Sequence, residues 1–154
     1  KTLPVTPCPD LCGHQIGIFK IHEGKAIPNI KIEYPARMEE GELYAVETYA
    51  STGTGILEEK TPVSHYMLSP QPSGRSRRKL PNRAKKTLGY IQHSFMTLAF
   101  HPEWILQDSN GLPDLQRRSI VKAYSPLYDT DPSAYIAQTE HTIYLTENKP
   151  LILS

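Results

Sequence analysis

Glu47 stands at the centre of residues 37–55, RMEEGELYAVETYASTGTG. Around it Leu43, Ala45, Glu47 and Tyr49 alternate with Tyr44, Val46 and Thr48. A two-residue period rich in aromatic and β-branched side chains predicts a strand. The polar turn Glu39-Glu40-Gly41 precedes it and the small-residue turn Ser51-Thr52-Gly53 follows it. Glu47 therefore shares a face with Leu43 and Ala45 in a strand that reads as buried. A lone buried carboxylate is too costly to persist. A salt bridge, a solvent-exposed edge, a bound metal or a catalytic task would each satisfy it, and residue types alone leave all four open.

The histidines are the other groups with chemistry. Residues 13–22, GHQIGIFKIH, alternate with His14, Ile16, Ile18, Lys20 and His22 on one parity. Gly13 and Gly17 suggest a close backbone approach or a bulge. On a straight strand rising about 3.3 Å per residue, His14 and His22 would lie roughly 26 Å apart. They could share one metal only if the chain bent between them, so each is given a separate role, the simplest being an ordinary, partly exposed histidine. His65 sits in Ser64-His65-Tyr66-Met67 at the end of a turn-rich segment. Near the C-terminal end, residues 135–145 resume the alternation, with Gln138, Glu140, Thr142 and Tyr144 opposite Ala137, Thr139, His141, Ile143 and Leu145.

These residues must be positioned by a chain of 154 residues, enough for one domain with a modest core. Its 17 basic and 16 acidic residues leave a formal charge of +1, so net charge makes no case for a nucleic-acid or membrane partner. A hydrophobic content of 38% is low and 14 prolines are many. Together they predict long irregular connections and a chain that leans on something it does not contain. No run approaches the ~18 apolar residues of a membrane span, and Lys1 is followed by prolines, not by the apolar stretch of a signal peptide. Cys8 and Cys12, in CPDLC, lack the spacing of common zinc and redox pairs. They read as reduced thiols of a cytosolic protein.

Residues 1–12 are proline-rich and extended, Ile30-Lys31-Ile32 is strand-like, and Pro150–Ser154 forms a final strand in this reading. Between the β segments, Leu88, Ile91, Phe95 and Leu98 recur at helical spacing, and residues 113–123 predict a second helix with Leu115, Ile120 and Val121 as its apolar positions. Residues 69–86 carry Arg75, Arg77, Arg78, Lys79, Arg83, Lys85 and Lys86 with no acid among them. Such a run is a solvated loop or a phosphate-contacting patch, for example on RNA.

Taken together the segments resemble the C-terminal half of a type 2 methionine aminopeptidase. The resemblance runs in order through Asp10-Leu-Cys-Gly-His-Gln-Ile-Gly17, Ile21-His22-x-Gly24-Lys25, Arg37-Met-Glu-Glu-Gly-Glu-x-Tyr-Ala-x-Glu-Thr48, Ser51-Thr-Gly-x-Gly55 and Ser64-His-Tyr-Met67. It continues through Thr97-Leu-Ala-Phe100, Tyr124-x-Pro-Leu127 and Ala137-Gln-x-Glu-His-Thr142. It implies an α+β pita-bread (creatinase/aminopeptidase) fold, a curved antiparallel sheet backed by helices. Residues 1–66 and 124–154 would form its C-terminal half, with 67–123 as an inserted helical subdomain.

The resemblance also implies a pair of divalent metal ions, among cobalt, manganese, iron and zinc, the ions that imidazole and carboxylate ligands suit. His14 would be a terminal ligand of one metal, Glu47 a ligand of the same metal and proton shuttle, and Glu140 the bridge between the two. His22 would donate a hydrogen bond near the scissile peptide, and His65 would be a further active-site histidine. Ile21, Tyr49, Ala99, Tyr124 and Leu127 would wall an apolar methionine pocket. The implied reaction is removal of the N-terminal methionine of nascent polypeptides in the cytoplasm.

The sequence departs from the family pattern in definite places. The family site has five protein ligands, and three are present here. Two aspartates and another histidine would come from an N-terminal half, so the chain alone is expected to bind metal weakly and turn over little. Cys12 stands where a small polar residue is common and Tyr49 where phenylalanine is usual, and a terminal tyrosine beyond Ser154 is absent. The alternative reading is a catalytically incomplete pita-bread homologue that binds ribosome or RNA through the basic segment 75–86. A proline dipeptidase or creatinase of the same fold is disfavoured by the helical insertion and by the Arg37–Thr48 stretch.

Overall fold

The computed structural model describes residues 4–33, 36–70 and 79–154, with backbone alone over 106–109. The chain divides into two compact units, one built from Lys1–Glu59 and Leu127–Ser154, the other from Lys60–Pro126. The sequence-defined insertion 67–123 falls inside the second. No helix among the described residues is long and apolar enough to cross a membrane. Cys8 and Cys12 are free thiols, the first buried and the second exposed.

The first unit is organised by β4 (Leu43–Ser51), the strand that the alternation around Glu47 predicts. It pairs antiparallel with β2 (Cys12–Ile16) on one side and with β9 (Ile136–Leu145) on the other. β3 (Ala26–Pro28) extends the sheet beyond β2, β10 (Pro150–Ile152) extends it beyond β9, and β1 (Thr6–Pro7) pairs with the end of β4. Residues 30–32, read as strand-like, lie outside any strand. Two glycines permit the packing. A Cβ on Gly13 would stand 2.6 Å from the Ala45 carbonyl oxygen, so β2 approaches β4 only without a side chain there. Gly41 takes φ 84° in the turn before β4 and donates its N–H to Leu145 O at 2.8 Å.

The straight strand expected over 13–22 is corrected. β2 ends at Ile16, and the chain reverses through Gly17–Lys20, whose backbone groups bond each other at 2.9 and 3.1 Å. Phe19 takes φ 56° in this turn. β3 then returns beside β2, with His14 opposite Ala26. The alternation across 17–20 is carried by exposed Ile18 and Phe19, which cover no face.

Asp129, at the end of β8 (Leu127–Asp129), fastens the loop after β4. It is 4% exposed and accepts from Ser51 Oγ (2.6 Å), Thr54 N and Oγ1, Gly55 N and Asp131 N. β8 itself pairs with β5 (Leu57–Glu59).

The second unit has its own core. Helix α1 (Asn82–Ser94) buries Ala84, Thr87, Leu88 and Ile91 against Phe100, Ile105, Leu112, Leu115, Ile120 and Val121. Of the four positions predicted for this helix, Leu88 and Ile91 face the core. Phe95 caps the helix end and Leu98 is exposed, because Met96 at φ 53° has already turned the chain. After a 3-10 segment (Pro102–Gly111), α2 covers only Leu112–Arg117. The helix expected over 113–123 stops because Ser119 adopts φ 54° and Ile120 N closes back on Leu115 O at 2.9 Å. Val121 then begins β7 (Val121–Tyr124), which pairs with β6 (His65–Leu68). The unit is therefore helices with a two-stranded ribbon, not helix throughout.

The donors around Asp129, the Ser51 hydroxyl foremost, hold its carboxyl well below the usual carboxylate range although burial opposes them. A depressed carboxylate stabilises the fold fully above its unfolded value of about 3.9 and loses that effect as pH falls through the lower folded value. Asp129→Asn is expected to lower the thermal midpoint by several degrees at pH 7, and to flatten the acid limb of stability below about pH 4. Circular dichroism melts across pH check both.

Candidate functional site

The register of the sheet decides which polar groups meet. Glu47 of β4 lies directly opposite Glu140 of β9, and Ala45 lies between His14 of β2 and Thr142 of β9. Two carboxylates directly opposite on a sheet repel. Gln138, two residues before Glu140 on the same face, intervenes. Its Nε2 lies 3.2 Å from Glu47 Oε2, 3.3 Å from Glu140 Oε2 and 3.0 Å from the Tyr49 hydroxyl. The Tyr49 hydroxyl in turn donates to Glu47 Oε2. Glu47 thus has one oxygen committed to sheet partners and the other, Oε1, facing His14 Nε2 at 3.1 Å.

His14 and Glu47 are nearly enclosed, at 12% and 11% side-chain exposure. His14 Nδ1 lies 3.3 Å from the Gln15 carbonyl oxygen. A carbonyl only accepts, so Nδ1 carries a hydrogen. Nε2 therefore meets the carboxylate either as the second N–H of an imidazolium or with its lone pair toward a cation shared with Glu47. Imidazole and carboxylate ligands both sit about 2.1 Å from a divalent ion, so two donor atoms of one ion lie no more than about 4.2 Å apart. The observed 3.1 Å and the carbonyl-anchored Nδ1 both fit such a pair. Among the described residues no three His, Cys, Asp or Glu side chains are gathered to hold a metal ion. His14 and Glu47 are a close donor pair, and Glu140 lies opposite Glu47 across the strand.

The turn after β2 brings His22 back to His14, with ring centroids 4.2 Å apart. The 26 Å separation read from a straight strand is thereby overturned. Ile21 is half-buried next to it, Tyr49 lies beside Glu47, and Leu127 is partly exposed on β8. These residues belong to the first unit. His65, Ala99 and Tyr124 belong to the second. There His65 and Tyr124 are register partners on β6 and β7, their rings stacked at 4.9 Å with planes 2° apart. Ala99 is exposed and precedes Phe100, which bridges to Tyr66. The sequence put Gln138 on the face of Glu140 but gave it no role, and it gave no signal for Asp129 as an anchor.

Arg75, Arg77 and Arg78 of the basic run lie outside the described residues. Lys79, Arg83, Lys85 and Lys86 are exposed, and Arg83 Nε pairs with Asp114 at 2.7 Å. An acid remote in sequence thus offsets one charge of the run.

Comparison with known proteins bears on this arrangement. The solved "Structure of a thermophilic Arx1" superposes on 96% of the chain and 40% of its own length, with a TM-score of 0.81 at 20% identity. The fold is accordingly that of a pita-bread protein. No protein-family model matches. The methionine aminopeptidase 2 of Lachancea thermotolerans is 40% identical over the whole chain and that of Encephalitozoon intestinalis 39%. The Saccharomyces cerevisiae protein is 38% identical. The chain spans 37% of the first, 44% of the second and 37% of the third. The chain is thus similar along its whole length to type 2 methionine aminopeptidases and spans about two fifths of theirs, which fits a C-terminal half.

Burial, together with the neighbouring Glu47 carboxylate, pushes the Tyr49 phenol well above the ordinary tyrosine range. In an alkaline titration followed by tyrosinate absorbance, a late-ionising component is expected, and Tyr49→Phe is expected to remove it without loss of fold. An unchanged titration in the variant would contradict the hydrogen bond to Glu47.

Proposed function

We propose that this chain carries part of the active site of a dinuclear-metal aminopeptidase that removes N-terminal methionine from nascent polypeptides in the cytoplasm. The observation that carries the reading is the His14–Glu47 pair at 3.1 Å with Glu140 in register across the strand. The whole-chain similarity to proteins named methionine aminopeptidase 2 supports it. His14 and Glu47 would hold one divalent ion and Glu140 would bridge it to a second, the remaining ligands coming from an N-terminal half. Cobalt, manganese, iron and zinc all suit this donor set. When bound, such a pair polarises a peptide carbonyl and makes water nucleophilic at neutral pH.

The protein's own groups do the rest. Glu47, besides holding the ion, would take up and return a proton. His22, held beside His14, donates a hydrogen bond near the scissile peptide. By the family resemblance Ile21, Tyr49, Ala99, Tyr124 and Leu127 are the residues that would wall the methionine side chain.

The other reading, a homologue that binds ribosome or RNA, is favoured by the exposure of Lys79, Lys85 and Lys86 near the start of α1. Phosphate contacts by these residues would make binding fall steeply with salt, and charge reversal at Lys79, Lys85 and Lys86 would weaken it.

The experiment is manganese-dependent cleavage of a Met-Ala-Ser peptide, with metal counted on the purified protein. In the enzyme joined to its N-terminal half, Glu140→Gln is expected to lower turnover by more than the roughly 10–100-fold typical of outer-shell changes. Full activity in that variant would rule out a bridging Glu140.

A further inference from the structure

Ser64 and His65 stand at the start of β6. Ser64 Oγ lies 2.9 Å from His65 Nδ1 and 3.1 Å from the Tyr124 carbonyl oxygen. The carbonyl can only accept, and the hydroxyl has one proton to give. When that proton points to Tyr124, Oγ faces the ring as an acceptor, and Nδ1 must carry a hydrogen. The opposite assignment, with the hydroxyl donating to a bare Nδ1, forfeits one of the two bonds. Only the Nδ1–H form of the neutral ring satisfies both contacts, and it leaves the lone pair on Nε2.

The ring is also fixed in place. It stacks on Tyr124 at 4.9 Å with planes 2° apart. Ser64 N–H donates to the same Tyr124 carbonyl at 2.9 Å, so the residue that holds Nδ1 is tied to the residue beneath the ring. His65 and Tyr124 are register partners, which sets the height of the stack.

We propose that Ser64 is a positioning residue that holds His65 in its Nδ1–H tautomer, so that Nε2 is presented as an acceptor, with an N–H of a peptide substrate as its partner. The acceptor role rests on the reading of His65 as an active-site group. The tautomer does not, and it is measured without substrate.

Long-range proton–nitrogen correlation spectra of the full chain, with His65 assigned from His65→Gln and recorded where the ring is neutral, read the tautomer directly. The wild type is expected to show a protonated Nδ1 and a bare Nε2. Ser64→Ala should move the ratio about fivefold toward Nε2–H, the effect of losing one hydrogen bond. Ser64→Thr should restore the wild-type pattern. A wild-type ring protonated at Nε2, or an unchanged ratio in a folded Ser64→Ala chain, would overturn the assignment. Titration with Met-Ala-Ser peptide should shift the His65 Nε2 resonance, and a resonance unmoved at saturation would overturn the acceptor role. Absence of cleavage by the enzyme joined to its N-terminal half, alongside an Nδ1–H ring, would count against the enzymatic reading and leave the tautomer standing.

Discussion

A carboxylate in the middle of the central strand, with about a tenth of its side chain exposed, has to be satisfied, and the arrangement of the first unit follows from how that is done. Glu47 takes Tyr49 from its own strand, Gln138 from one neighbouring strand and His14 from the other. Each contact depends on register. A one-residue slip of β9 against β4 would send Gln138 and Glu140 to the opposite face and leave Glu47 without them. The polar network and the strand pairing therefore specify each other.

Backbone geometry sets how close the partners come. β2 reaches β4 only because Gly13 has no side chain to collide with the Ala45 carbonyl. The reversal after Ile16 then brings the second histidine to the first. The Asp129 cluster anchors the far end of β4, where Ser51 is both strand terminus and hydrogen-bond donor. The site is thus held from both ends of one strand, by a close backbone approach at one and a buried carboxylate at the other.

In the second unit, polar side chains rest on a frame of their own. The helical core of α1, α2 and the 3-10 segment supports the β6–β7 ribbon. Along that ribbon Ser64, His65 and Tyr124 satisfy one another's polar groups and leave one imidazole nitrogen uncommitted. The principle is the one at work around His14. A backbone carbonyl, which can only accept, settles which ring nitrogen carries the proton. The carbonyl acts directly at His14 and through a serine hydroxyl at His65.

Periodicity and residue type determined much of this protein. The strand around Glu47, the strand bearing Glu140, the strand at 150–152 and the helix bearing Leu88 and Ile91 all follow from local patterns. The family resemblance follows from motifs spread through the chain. Tertiary structure decided what those patterns could not carry. Alternation over 13–22 looks the same whether the chain runs straight or turns at Gly17, since an exposed turn leaves no burial pattern to break. Helical spacing persists past Ser119 although the backbone there is left-handed. The pairing of Glu47 with His14, Gln138 and Glu140, and the gathering of loops on Asp129, join residues dozens of positions apart. Strand register fixes such contacts, and register is a property of the assembled sheet, not of any one segment.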